Sequence, residues 1–92
     1  MITTREAKKI IKNYHNVNNK INYQHKLDDA LSPLKADEFE IGMLIIYGNN
    51  YKDIMAGEHI SKYKFYSIRS KVITLLCMNL EREDIKDVLT IF

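Results

Sequence analysis

Tryptophan is absent from this 92-residue chain, which has one cysteine, one proline and three glycines. Each scarcity excludes something. The single thiol, Cys77, cannot form an intramolecular disulfide, and its neighbours Leu75, Leu76 and Met78 mark it as a buried small hydrophobe rather than a reactive group. So little proline and glycine cannot supply the turns of an all-β chain, so the expectation is an all-α fold. No segment approaches the roughly eighteen apolar residues of a membrane span. The opening segment MITTREAKKIIKNYH has no continuous apolar stretch, so no signal peptide is expected and the expected location is cytoplasmic.

The residue sets of common chemistries are also missing. Gly42, Gly48 and Gly57 are isolated and do not form a phosphate-cradling loop. His15 and His25 lie ten residues apart on one expected helix and so on different faces, and no zinc-type Cys/His spacing occurs. The acid clusters Asp28-Asp29, Asp37-Glu38-Glu40 and Glu81-Glu83-Asp84 sit at expected helix ends, where helix dipoles explain them. Ser61 has no accompanying base and acid, and a capping role accounts for it. The expectation is a non-enzyme with no catalytic residues, no metal and no cofactor.

What is present suits one small domain. Hydrophobic residues make up 46% of the chain, which fits a folded globular protein with a single modest core. Thr4 is a plausible N-cap. Ala7, Ile10, Ile11, Tyr14, Val17 and Ile21 then recur every three or four residues, and Leu27, Ala30 and Leu31 continue the stripe. The pattern predicts a long amphipathic N-terminal helix over 1–31, ended by Ser32-Pro33. Asn16, Asn18, Asn19 and Asn22 are poor interior helix formers and favour a kink. Three readings of this helix stay open: a core helix, a projecting arm, or a coiled-coil seam for a homodimer.

A helix-turn-helix core is expected over 37–78. Asp37 with Glu40 resembles a capping box. The following helix is apolar nearly all round through Phe39, Ile41, Met43, Leu44, Ile45, Ile46 and Tyr47, which marks it as the central core element. Gly48 stops it, and Asn49 or Asn50 caps a short helix from Tyr51 to Glu58 with Ile54 and Met55 facing inward. Ser61 caps a longer helix whose buried face is Phe65, Ile68, Val72, Leu75 and Leu76. Glu81 to Ile91, within 80–92, reads as a short C-terminal helix.

Charge separates these elements. Residues 1–31 carry net +3, residues 32–60 net −3, residues 61–77 net +4 and residues 78–92 net −2. From Ser61 to Cys77 there are four cations and no acid. A short helix, a tight turn and a basic second helix is the layout that enters a DNA major groove. The expected DNA-binding residues are Lys62, Tyr63, Tyr66 and Ser67 toward the groove and Lys64, Arg69 and Lys71 for the backbone, with Ser70 on the same outer face. An ordinary helical hairpin with a solvated basic face is the plain alternative.

The stretch resembles the helix-turn-helix of sigma-factor region 4 and, more closely, the ArpU/RinA-type phage late-gene transcriptional regulators. Tyr51, Ile54, Ile60, Ser61, Tyr66, Ile68 and Arg69 carry the likeness, which covers about a third of the chain. It implies a sigma region 4-like helical bundle and a phage- or mobile-element-encoded regulator in a bacterial host. The implied partners are double-stranded DNA, RNA polymerase or another phage or host regulatory protein, and no membrane. Three positions depart from the pattern. Met55 replaces a small residue, Glu58 a leucine, and His59 a frequent glycine. Glu58 must then be solvated or paired, and a rotated first helix would let Ala56 take the small-residue role. The alternative function is a protein-interaction module that modulates a transcription or replication protein without contacting DNA, using the N-terminal helix with Leu89, Ile91 and Phe92.

Overall fold

The computed structural model describes residues 1–14 and 20–85. Among these are five α-helices: α1 (Thr4–Asn13), α2 (Lys20–Leu31), α3 (Ala36–Ile46), α4 (Tyr51–Glu58) and α5 (Lys62–Asn79), followed by a 3-10 turn over Arg82–Ile85. The all-α expectation holds for them. The expected C-terminal helix falls mostly on 86–92, outside the described residues.

The N-terminal segment differs from a single long helix. The Ile2 amide donates to the Cys77 carbonyl at 3.2 Å, so the start of α1 lies at the C-terminal end of α5. Asn79 Nδ2 donates to the Ala30 carbonyl at 3.1 Å, so the end of α2 lies at that same end. On one straight helix, Ile2 and Ala30 would be separated by about 40 Å. The chain therefore doubles back between α1 and α2, and both pack against α5. The apolar stripe drives this reversal. Ala7, Ile10, Tyr14, Leu27, Ala30 and Leu31 are all buried in the chain's own core. They are spent in that core, while Val17 and the side chain of Ile21, on the same expected stripe, lie outside the described residues. The Cα radius of gyration, 12.4 Å, is that of a globular chain of this length.

The centre of the bundle is α5 rather than α3. The four other helices all contact α5, through a buried row of Phe65, Ile68, Val72 and Leu76. Leu75, expected in that row, is half-buried, and so is Cys77. Gly42 explains the close approach of α3. A β-carbon there would meet Val72 Cγ2 at 3.1 Å, so the absent side chain lets the two helix backbones come together.

The helix ends follow capping chemistry, with two shifts from expectation. Thr3, not Thr4, caps α1 in a reciprocal box: Glu6 N–H donates to Thr3 Oγ1 at 3.1 Å, and Thr3 N–H donates to Glu6 Oε1 at 3.0 Å. Helix α3 begins at Ala36 after Lys35, with no side-chain cap, because Asp37 is already inside the first turn, where it serves the dipole instead. Asn50 and Ser61 cap α4 and α5 through their side-chain oxygens.

Both turns flanking α4 use the same C-terminal device. After α3, Gly48 takes a positive φ of 87°, Gly48 N–H reaches the Ile45 carbonyl and Asn49 N–H the Leu44 carbonyl. After α4, His59 stands in the left-handed region at φ 54°, and Ile60 N–H reaches Met55 O at 3.2 Å. A β-carbon in this conformation costs roughly 1–2 kcal/mol, which glycine avoids. His59→Gly is accordingly expected to raise stability by about 1 kcal/mol, part of the gain being lost to the freer unfolded chain. A thermal melt that moves down rather than up would contradict this backbone assignment.

The other departures from the motif are also settled locally. Met55 is half-buried against the core and Ala56 is exposed, so α4 is not rotated to put the small residue inside. Glu58 is half-buried on the rim beside Leu44, Asp53 and Ile54, with no ion-pair partner among the described residues, so it is solvated.

The start of α1 is tied to the turn that follows α5. Arg82 grips Glu6 with two hydrogen bonds, Nε to Oε2 at 2.7 Å and Nη2 to Oε1 at 3.0 Å. The Arg82 guanidinium, helped by the Thr3 amide, holds the Glu6 carboxyl well below its ordinary 4.5, at about 2. A carboxylate depressed in the folded state stabilises the fold above its unfolded value and loses that contribution as it is protonated. Stability linked to Glu6 should therefore decline as pH falls from about 4.5 toward about 2. Urea midpoints measured across that range should fall less steeply for Arg82→Gln than for the parent chain. Equal slopes would exclude the clasp as an acid-sensitive element.

Candidate nucleic-acid interface

The expected interface lies on α5, and the helix distributes its residues over three sides. At about 3.6 residues per turn, Tyr63, Ser67, Ser70 and Thr74 share the side opposite the buried row. Lys62, Tyr66 and Arg69 lie on the flank toward α4 and α1. Lys64 and Lys71 lie on the other flank, toward α3.

On the outward side, Tyr63 is 86% exposed, the most open large hydrophobic side chain of the described residues. Lys62, Tyr63, Tyr66, Ser67, Ser70 and Lys71 together line one shallow open depression. Six of the eight expected residues are thus adjacent on one surface. Ser67 is half-buried and Ser70 exposed, and the Ser70 carbonyl accepts a hydrogen bond from Thr74 Oγ1 at 3.0 Å. Ser61 holds the Lys64 amide at 3.1 Å, which fixes the first turn of α5 and the origin of this surface.

Lys71 has another commitment. Its Nζ lies 2.6 Å from Oε2 of Glu38, a residue only 5% exposed on α3. The Lys71 hydrogen bond holds the Glu38 carboxyl below its ordinary value against the opposing push of burial, and the positive charge of Lys64 acts in the same direction. Lys71 is therefore the counter-ion of a buried acid. Sequence reasoning missed Glu38, which reads as a dipole-complementing acid in the first turn of α3. No local signal marks the pair, because the partners are 33 residues apart.

Arg69 is half-buried and turns away from the outward side, into a cleft of about 460 Å³ that it shares with Lys12 of α1 and Tyr51 of α4. Tyr66 belongs to both surfaces. Its ring meets Phe65 edge-on with centroids 5.2 Å apart, and it lies 6.5 Å from Tyr51. Of the four expected cations, Lys62 and Lys64 alone stand exposed without an ion pair among the described residues. The acid-free character of α5 is genuine in its own sequence, but α3 supplies one neutralising carboxylate from outside.

Among the described residues no group of three or more His, Cys, Asp or Glu is placed to hold a metal ion, and no helix is long and apolar enough to cross a membrane. No protein-family model, curated protein or solved structure matches this chain.

Proposed function

We propose that the chain is a DNA-binding regulator of transcription, encoded by a phage or mobile element, in which α4, the turn 59–61 and α5 act as a helix-turn-helix. The observation that carries this reading is the N-terminal half of α5. A capped helix presents Tyr63, Ser67 and Ser70 on its outward side, flanked by Lys62 and Tyr66 on one edge and Lys64 on the other, without a single acid of its own. In the proposed complex Lys62 and Lys64 hold phosphates, while Tyr63 and Ser67 reach base edges. The three-residue turn supports it, because the left-handed His59 and the Ser61 cap together set α5 at a defined angle to a short preceding helix. A contact with RNA polymerase belongs to the same proposal, on the strength of the resemblance.

The test is binding of the purified protein to duplex DNA from its own genomic neighbourhood at two salt concentrations. Each phosphate neutralised contributes about −0.9 to the slope of log affinity against log salt, so affinity should fall steeply. Affinity independent of salt, or no shift at low salt, would reject the reading.

One observation favours a second reading, a protein-interaction module. Tyr63 and Tyr66 are exposed within one turn of each other near the start of α5, and aromatic side chains are enriched at protein interfaces. Loss of a protein partner on Tyr63→Ala, with no duplex binding by the parent chain, would select it.

A further inference from the structure

The geometry points to a nucleotide subsite in the cleft between α1, the α3–α4 turn and α5: a pocket that stacks one unpaired base on Tyr51 and Tyr66 and holds its phosphate between Lys12 and Arg69. Three properties of the cleft lead there. Its volume, about 460 Å³, lies in the range of small-ligand pockets. Its charge is of one sign. Lys12 and Arg69 line it, no acid does, and neither cation is ion-paired among the described residues. The two residues are 57 positions apart in sequence, so the fold, not local composition, brings them together.

The third property is aromatic. Tyr51 lies 6.1 Å from Phe65 and 6.5 Å from Tyr66, ring centroid to centroid. Phe65 is buried beneath, whereas the two tyrosines are partly exposed, so their ring surfaces are open to a ligand. An inorganic anion would use the cations and leave the rings idle. An apolar ligand would do the reverse. A planar base carrying a phosphate uses both, which is how single-stranded nucleic acids are bound elsewhere. Asn49, which lines the same cleft, spends one amide N–H on the Leu44 carbonyl and keeps an acceptor and a second N–H for a base edge.

Two sources offer this chemistry: a free mononucleotide, or an unpaired nucleotide within a strand. The subsite goes beyond the duplex reading and does not rest on it, since Lys12, Asn49 and Tyr51 lie off the outward side of α5.

The experiment is an amide NMR titration of the full chain with adenosine 5′-monophosphate, adenosine, inorganic phosphate and a short unstructured oligonucleotide. The mononucleotide should shift the amides of Lys12, Gly48, Asn49 and Tyr51 saturably in the millimolar range or below, and adenosine or phosphate alone should do so far more weakly. Lys12→Glu, at an exposed position, should weaken this binding about tenfold or more, as expected for loss of a charged hydrogen bond, whereas Lys64→Glu should not. Shifts of the same amides by the oligonucleotide but not the mononucleotide would identify the strand as the source. The inference is overturned if neither ligand shifts these amides, if phosphate alone shifts them as strongly, or if Lys12→Glu changes nothing. Duplex binding through α5 can fail without affecting any of these outcomes.

Discussion

The double replacement Lys62→Glu/Lys64→Glu is expected to lower affinity for duplex DNA by about two orders of magnitude or more and to reduce the log–log salt slope by about two units. Both side chains are exposed and without an ion pair among the described residues, so their charge is available to phosphate, and the one internal interaction at stake is the charge of Lys64 acting on Glu38. Reversal adds repulsion to the loss of attraction. The fold should survive, because Ser61 caps α5 through its own hydroxyl and the Lys64 amide, not through either lysine side chain. An unchanged helical circular dichroism spectrum would establish that. Lys71 makes an instructive comparison. Lys71→Ala strands the buried Glu38 carboxylate, so its main effect should be lost stability, with weaker binding following only from unfolding. If Lys71→Ala abolished binding at full stability while the Lys62/Lys64 pair did not matter, the contact surface would have to move to the α3 flank.

Truncating Leu76 to alanine should cost roughly 3–4 kcal/mol of folding stability, within the range for fully buried leucines. Leu76 is fully buried in α5. Its chain neighbour Cys77 receives the Ile2 amide, and Asn79, three positions on, reaches Ala30. It therefore stands where the start of α1 and the end of α2 converge on the hub helix, and little can collapse to fill the space. A domain of this length has on the order of 5–14 kcal/mol in total, so the variant should melt far below the parent. Thr74→Ala, two residues away on the exposed side, should shift the urea midpoint little. A loss below about 1 kcal/mol at Leu76 would mean that this end of the bundle is not closed over it.

Much of the architecture was legible in short-range pattern. The α5 row of Phe65, Ile68, Val72 and Leu76, the Ser61 and Asn50 caps, the stop at Gly48 and the end of α2 before Ser32-Pro33 all follow from spacing and local backbone chemistry. These signals act over three or four residues, so a sequence carries them openly. The failures share the opposite property. The reversal between α1 and α2 depends on where their apolar stripe finds a partner. A continuous stripe fits one long helix as well as two that fold onto α5. The central role went to α5 instead of α3 for a related reason. An all-round apolar surface indicates burial but does not say which helix the others surround.

The candidate interface divides along the same line. Its composition was readable: an acid-free stretch with four cations and two tyrosines, capped at Ser61. Which cations remain available was not. Glu38 takes Lys71 from 33 residues away, and Arg69 turns into a cleft completed by Lys12 and Tyr51. By itself the sequence determined the helical segments from α3 to α5, the Asn50 and Ser61 caps and the basic character of α5, because those depend on neighbours within a turn. Only the tertiary structure decided which of those charges face solvent, because that depends on carboxylates and aromatic rings brought in from other helices.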